Sequence, residues 1–358
     1  MAYEINEAKE LVIKAGLELV KKGLVARTWG NISARISDKQ MVITPSGRAY
    51  DTLTPDDIVT VDIDTLEYEG DIKPSSEKGV HAAAYQLHEG ADFVIHTHQE
   101  YATALSTLGK RFLIEKAFPR RSAVLGPSVP TAEYGISGST RLINNVKECL
   151  GQNPESRAIL MRNHGVLVVG TSYDEAFDVA GTLEEVSMKI YSKLTSIRPP
   201  ELDNGYSPYK YCTAYRRGVT SEYKEYKNVF DNRLVNCVIA AKTPYITRAA
   251  ELGRAMRPYI DDMAQIGGPA TRCLPIWATS RDIARALPNE ASGAVLIPRF
   301  GAICTGPTED EAEAMMLVLD KCARAFLLED TKYKPTPVNP LIALFEHKYY
   351  VDKYSKLK

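Results

Sequence analysis

Ile5, Ala8, Leu11, Val12, Ala15, Leu19 and Val20 recur at the spacing of one helical face, and Gly23 supplies a stop. The pattern then shortens. Ile32–Ile36, Met41–Thr44 and Ile58–Ile63 are brief apolar stretches parted by Gly, Pro, Ser and Asp, which predicts strands joined by tight turns. A helix is expected from Ser76 to His88, a strand over Phe93–His96, and a helix again over Glu100–Leu108. Ala158–Met161 and Val166–Val169 form a predicted hairpin around Asn163-His164-Gly165. A long helix follows from Tyr173 to about Ile197 and ends at Pro199-Pro200. Strands and helices mixed in this order point to α/β layers around a sheet. Short strands with tight turns favour antiparallel pairing.

Arg198–Lys210 (RPPELDNGYSPYK) has the composition of a linker, and beyond it the chain repeats itself. Val94-Ile95, Tyr101, Thr103 and Leu108-Gly109 recur as Val238-Ile239, Tyr245, Thr247 and Leu252-Gly253, at a constant offset of 144. Ala158–Gly165 matches Ala294–Gly301, and Gly170–Ala176 matches Gly306–Ala312, both at an offset of 136. Segments this long imply a tandem duplication.

Composition narrows the function classes. The 358 residues exceed the commonest domain size about twofold, which suits two cores. Lys plus Arg number 44 against 45 Asp plus Glu, so neither a nucleic acid nor an anionic membrane is an expected partner. No apolar run reaches the roughly 18 residues of a membrane span. The opening MAYEINEAKE carries acids where a signal peptide carries lysines, and six scattered cysteines read as reduced. A soluble, cytoplasmic protein is the expectation.

Chemistry concentrates on few residues. His96 and His98 stand two apart on a predicted strand, so both imidazoles face one side and can reach one ion. The same pair also fits a polar strand end with two solvated histidines. His164 lies in a turn between Asn163 and Gly165, and three neutral imidazoles with one open or carboxylate position make a catalytic zinc site. The carboxylate candidate is Glu77, which opens the helix leading into the His96 strand. A glutamate is also common there because it favours the positive end of the helix dipole. His81, one turn on, is the alternative ligand, and His347 in a Tyr- and Lys-rich tail reads as a surface group. Three stretches suit an anion: Gly30-Asn31-Ile32-Ser33, Thr44-Pro45-Ser46-Gly47 and Ser75-Ser76. Hydroxyls, an amide and backbone N–H groups beside glycine or at a helix start can hold a phosphate without any basic residue.

Taken together, these five motifs resemble the class II aldolase and adducin family, in the same order and at similar spacing, over about residues 5–198. The resemblance implies a three-layer α/β/α sandwich, here followed by a degenerate second copy, with domains at 1–200 and 211–358. It implies one Zn2+ per chain on His96, His98 and His164. Glu77 completes the shell at rest and acts as acid/base when substrate displaces it. Asn31, Ser46, Gly47, Ser75 and Ser76 become the phosphate pocket. The implied activity is a zinc-dependent lyase that cleaves a phosphorylated sugar by retro-aldol chemistry through a metal-stabilised enediolate, working as a homo-oligomer (dimer or tetramer). Decarboxylation or 4-epimerisation of a phosphorylated sugar or sugar acid would use the same site, and a non-catalytic adducin-like assembly protein is the alternative of another class.

Two departures qualify this picture. Lys110–Ser128 (KRFLIEKAFPRRSAVLGPS) holds no Asp and no Tyr where the family's proton donors lie, which weakens the epimerase reading and leaves Tyr134 as the substitute. Arg120-Arg121 could instead meet a substrate carboxylate. In the second half, the offsets put Ala240, Lys242 and Phe300 in place of His96, His98 and His164, a set that cannot hold zinc. That half is expected to lack counterparts of Asn31 and of Ser46-Gly47, to place its Glu77 region near Ser221-Glu222, and to serve assembly, with Tyr349, Tyr350 and Tyr354 helping to wall the active site.

Overall fold

The computed structural model describes residues 3–25, 27, 29–199, 210–216 and 225–353. The chain divides into two compact units, Met1–Tyr191 and Ser192–Lys358.

The first unit is built on a seven-stranded sheet. Its strands are β1 (Gly30–Arg35), β2 (Gln40–Ile43), β3 (Val59–Asp62), β4 (Phe93–Thr97), β7 (Thr131–Ala132), β8 (Ala158–Met161) and β9 (Gly165–Gly170). They lie in the order β3-β2-β1-β4-β9-β8-β7. Every neighbouring pair is antiparallel except β7 with β8, as the short strands and tight turns imply. The helices are α1 (Ile5–Lys21), α2 (Lys78–Leu87), α3 (Glu100–Ser106), the short α4 (Ile114–Ala117) and α5 (Ser122–Leu125), α6 (Thr140–Gly151) and α7 (Tyr173–Thr195). On one face α2 and α6 close over Met41, Ile43, Val61, Val94, Ile159 and Leu167. On the other, α1 packs on β1 and β2 and α3 on β8 and β9, while Tyr173 at the start of α7 meets Phe93 edge-on, ring centroids 5.5 Å apart. The result is a three-layer α/β/α sandwich. All six residues of β9 are buried, as befits a central strand covered on both faces. The two-stranded pair β5 (Phe112–Leu113) and β6 (Ser128–Val129), with α4 and α5, occupies a stretch for which the pattern predicted no element.

The second unit repeats this plan. Its strands β10 (Lys210–Tyr215), β11 (Cys237–Ala241), β12 (Arg272–Cys273), β13 (Gly293–Ile297) and β14 (Gly301–Gly306) lie in the order β10-β11-β14-β13-β12, the counterpart of β1-β4-β9-β8-β7 with the same orientation at every pair. Phe93 faces Gly170 and Thr97 faces Val166; Cys237 faces Gly306 and Ala241 faces Ala302. The register therefore reproduces both sequence offsets. Asn163 (φ 60) and Arg299 (φ 64) hold the same left-handed position before Gly165 and Gly301.

One expectation needs correction. The second unit keeps the strand that carries Asn31: in β10, Cys212 stands opposite Ala240 as Asn31 stands opposite His96. The residue has changed, but the strand remains because β11 needs a neighbour on that edge. Among the described residues no strand lies between β10 and β11, so β2 and β3, which flank Ser46-Gly47 in the first unit, have no counterpart there. Ser221-Glu222 and Tyr354 lie outside the described residues. A second correction concerns His347, on the helix Pro340–Lys353. It is part-buried, 2.7 Å from the Gln265 carbonyl and 2.6 Å from Glu290, so it is a structural hydrogen-bond partner and not a surface group.

Candidate metal centre and active site

Strand β4 ends at Thr97 with His96 and His98 on the α2 face, and the β8–β9 turn brings His164 to them. That turn needs Asn163 in the left-handed region, which asparagine tolerates, and Gly165, where a Cβ would sit 2.6 Å from the Thr97 carbonyl and 2.8 Å from the His98 ring. Close packing of backbone on backbone is thus what lets three imidazoles converge. Their ligand atoms lie within 4.8 Å of one another, and among the described residues no other group of three metal-ligating side chains does so. His96 and His164 are fully buried, and His98 is half-buried.

The donor set fits a metal ion. His96 Nδ1 lies 2.8 Å from the Val166 carbonyl, which can only accept, so Nδ1 carries a proton and Nε2 is the nitrogen turned toward the cluster. That Nε2 is 2.9 Å from His98 Nε2 and 3.1 Å from Glu77 Oε2, a convergence of ligand-type atoms that suits a bound cation. Nitrogen and carboxylate ligands of this kind suit zinc.

Glu77 is the N-cap position of α2 and is 5% exposed. Its Oε1 lies 2.8 Å from His164 Nε2 and accepts from Ser137 Oγ at 3.1 Å; its Oε2 accepts from Asn31 Nδ2 at 2.8 Å. Burial pushes the carboxyl upward, but His96 and His164 beside it hold it well below the usual carboxylate range. His81 is placed differently from the alternative ligand considered above. Both its nitrogens are engaged, Nε2 by Asn31 Oδ1 at 2.5 Å and Nδ1 by Ser33 Oγ at 2.7 Å, and it points into the layer between α2 and β1.

The three anion-suited stretches meet. Thr44 Oγ1 accepts from the Ile32 N–H, the Ser75 N–H donates to the Thr44 carbonyl, and Pro45 bridges Pro74. Ser46, Gly47 and Ser76 are exposed there, while Ser75 is buried and its Oγ caps the Glu77 N–H at 3.2 Å. The Asn31 amide is bound at both ends, which leaves a second Nδ2 hydrogen for any further partner. Ser137 was not foreseen: it lies 60 residues from Glu77, in a loop whose Gly138 rests against Ser76. Arg121 pairs with Glu185 at 2.7 Å, and Tyr134 is half-buried with its carbonyl bound by Asn145.

Comparison with known proteins decides the family. The family described as Class II Aldolase and Adducin N-terminal domain matches residues 10–191 and again 202–327. The chain belongs to this family. Its second match coincides with the repeated sheet, so the second unit is a copy of the class II aldolase fold. The 5-deoxy-D-ribulose 1-phosphate aldolase of Bacillus thuringiensis is 32% identical over 199 residues, 55% of this chain and 90% of its own length. The L-fuculose phosphate aldolase of Escherichia coli is 33% identical over 197 residues, 55% of this chain and 88% of its own. An L-ribulose-5-phosphate 4-epimerase of Salmonella paratyphi C is 42% identical over 106 residues, 29% of this chain and 46% of its own. A solved L-fuculose 1-phosphate aldolase, 32% identical, covers 55% of this chain and 91% of that one with a TM-score of 0.48. Among the described residues, no helix of this class II aldolase family member is long and apolar enough to cross a membrane.

Proposed function

We propose that the chain is a zinc-dependent aldehyde-lyase that cleaves a phosphorylated ketose by retro-aldol chemistry, with residues 1–200 as the catalytic domain and 211–358 as a copy that has lost its metal. The observation that carries this reading is the position of Glu77. Its carboxylate contacts two of the three clustered histidines, while its own N–H belongs to the Ser75 turn beside Ser46 and Gly47. One side chain thereby links a metal-type cluster to an anion-type cradle.

His96, His98 and His164 would hold the zinc, one per chain. Bound there, zinc supplies a Lewis-acid charge for the negative oxygen that develops as the C–C bond breaks. Ser46, Gly47, Ser75 and Ser76, with the second Asn31 hydrogen, hold the phosphate and fix the substrate's register. The hydroxyl that becomes the aldehyde gives up one proton, and Glu77 delivers one to the carbon that keeps the bonding pair, so the protons balance and dihydroxyacetone phosphate results. In the reverse direction Glu77 takes that proton from the carbon. Two curated relatives that align over most of their own length are named as aldolases, whereas the epimerase aligns over less than half, which favours aldol cleavage. Arg121, one of the Arg120-Arg121 pair considered for a substrate carboxylate, is paired with Glu185, which gives decarboxylation no support from that residue. Work in the cytoplasm agrees with the free Cys149, Cys237, Cys273, Cys304 and Cys322, and assembly as a dimer or tetramer follows the family resemblance.

Two substitutions test the roles. His164→Ala should lose zinc and turnover together, because affinity depends on the full ligand set. Glu77→Gln should retain much of the zinc and lose roughly two to four powers of ten in kcat. Stoichiometric zinc with normal turnover in His164→Ala, or unchanged kcat in Glu77→Gln, would refute the assignment.

A further inference from the structure

Between α2 and β1 lies a buried polar ladder that the roles above do not explain. Helix α2 and its N-cap present Glu77, His81 and Tyr85, four residues apart; β1 presents Asn31 and Ser33, two apart. Four residues of helix advance about 6.0 Å and two residues of strand about 6.6 Å, so the two rows match in pitch and their side chains interleave. Each consecutive pair is within hydrogen-bond distance: Glu77 Oε2 to Asn31 Nδ2 at 2.8 Å, Asn31 Oδ1 to His81 Nε2 at 2.5 Å, His81 Nδ1 to Ser33 Oγ at 2.7 Å, and Ser33 Oγ to Tyr85 OH at 2.8 Å. All five residues are 8% exposed or less.

The direction of every link follows from the carboxylate at its end. An ionised carboxylate only accepts, so Asn31 must present its NH2 to Glu77 and its carbonyl to His81. That carbonyl also only accepts, so His81 must be protonated on Nε2. A neutral imidazole then offers Nδ1 as an acceptor to the Ser33 hydroxyl, whose oxygen accepts from Tyr85. Full burial and the neighbouring His96 hold His81 neutral, its pKa down at about 3 although Glu77 acts in the opposite sense.

The geometry points to His81 as a positioning residue that, through Asn31, fixes which oxygen of Glu77 works. Oε2 is held as a permanent acceptor by the Asn31 amide. Oε1, whose donor is the Ser137 hydroxyl, a group that can turn from donor to acceptor, is the oxygen that receives and releases the proton beside His164. His81 bonds neither Glu77 nor the three clustered histidines through its ring; it acts by orienting the Asn31 amide that orients the carboxylate. Without the Nε2–H donor, the Asn31 carbonyl is left buried with no donor from His81, and the amide is held from the Glu77 side alone, free to tilt away from the carboxylate. This inference rests on the acid/base role given to Glu77 above, but its first test does not need turnover.

In the full chain labelled with 15N-histidine, the pair of ring nitrogens that disappears in His81→Gln should show the neutral tautomer protonated on Nε2, whether or not any sugar phosphate is cleaved. Protonation on Nδ1, or an imidazolium at neutral pH, would overturn the ladder even if the enzyme is active. In the zinc-loaded chain, His81→Phe keeps the volume and removes the donor. It should lower kcat roughly tenfold to a hundredfold, the size typical of groups that orient ligands from behind, with KM within about twofold and zinc content unchanged. His81→Gln restores an N–H near the Nε2 position and should recover part of that loss. Equal losses in the two variants, or none in His81→Phe, would refute the positioning role. If His81→Phe fails to fold, the tautomer and the His81→Gln kinetics still decide. A chain that shows the Nε2–H tautomer but turns over no ketose phosphate would instead count against the lyase reading alone.

Discussion

Gly165 carries no reactive group, yet the convergence of the three imidazoles depends on it. A methyl group there would press on the Thr97 carbonyl and on the rings of His98 and His96. Gly165→Ala should therefore weaken zinc binding at least tenfold in a chelator competition while the far-UV circular dichroism stays near wild type. His81 permits a second check at this scale. Its pKa is about 3 in the folded chain and ordinary when unfolded, near 6.5, so between those values the unfolded state binds the extra proton. Its contribution to stability is fully present above pH 6.5 and falls with acidification, by about 1.4 kcal/mol per pH unit from this one group. Tyr85, Glu77 and His96 face it from α2 and β4. In metal-stripped protein, denaturant melts of wild type and His81→Gln should differ in slope by about one proton between pH 6.5 and 4, with the wild type the steeper; parallel slopes would contradict the assignment. The histidine pair, the turn histidine and Glu77 were legible because two-residue alternation and a helix start place them. Ser137 and the Asn31–His81 link were not, since nothing in one dimension shows which helix lies over which strand.

At the scale of elements, the pieces with long periodic patterns are those the sequence revealed: α1, α2, α7 and the β8–β9 hairpin fall within a few residues of their expected bounds. Strands of two residues such as β5, β6 and β7 have no periodicity to read and exist because β8 and the loops beside it offer partners. The loop holding Ser137 belongs with them, and it supplies one donor to Glu77 Oε1. Loss of that donor in Ser137→Ala should slow steady-state turnover by roughly tenfold to a hundredfold while leaving zinc content intact, because a charge-assisted hydrogen bond contributes about 1.5–3 kcal/mol. A variant with unchanged kcat would show that Ser137 only fills space.

For the whole molecule, duplication explains the length, the two family matches and the repeated strand order together. The repeat was visible in sequence through constant offsets, and the register of β11 against β14 reproduces them. The second copy holds Ala240, Lys242 and Phe300 at the three histidine positions, and Lys242 is exposed. Metal analysis should accordingly find one zinc per chain, falling toward zero in His96→Ala; two per chain would contradict the loss of chemistry from the second unit.

The most direct measurement is product analysis with a panel of ketose 1-phosphates, using the zinc-replete chain alongside Glu77→Gln. The wild type should release dihydroxyacetone phosphate and an aldehyde in equal amounts from at least one member. That release should stop on chelation and drop at least a hundredfold in the variant. Release of no dihydroxyacetone phosphate from any member by zinc-loaded protein, or equal release by Glu77→Gln, would contradict the account.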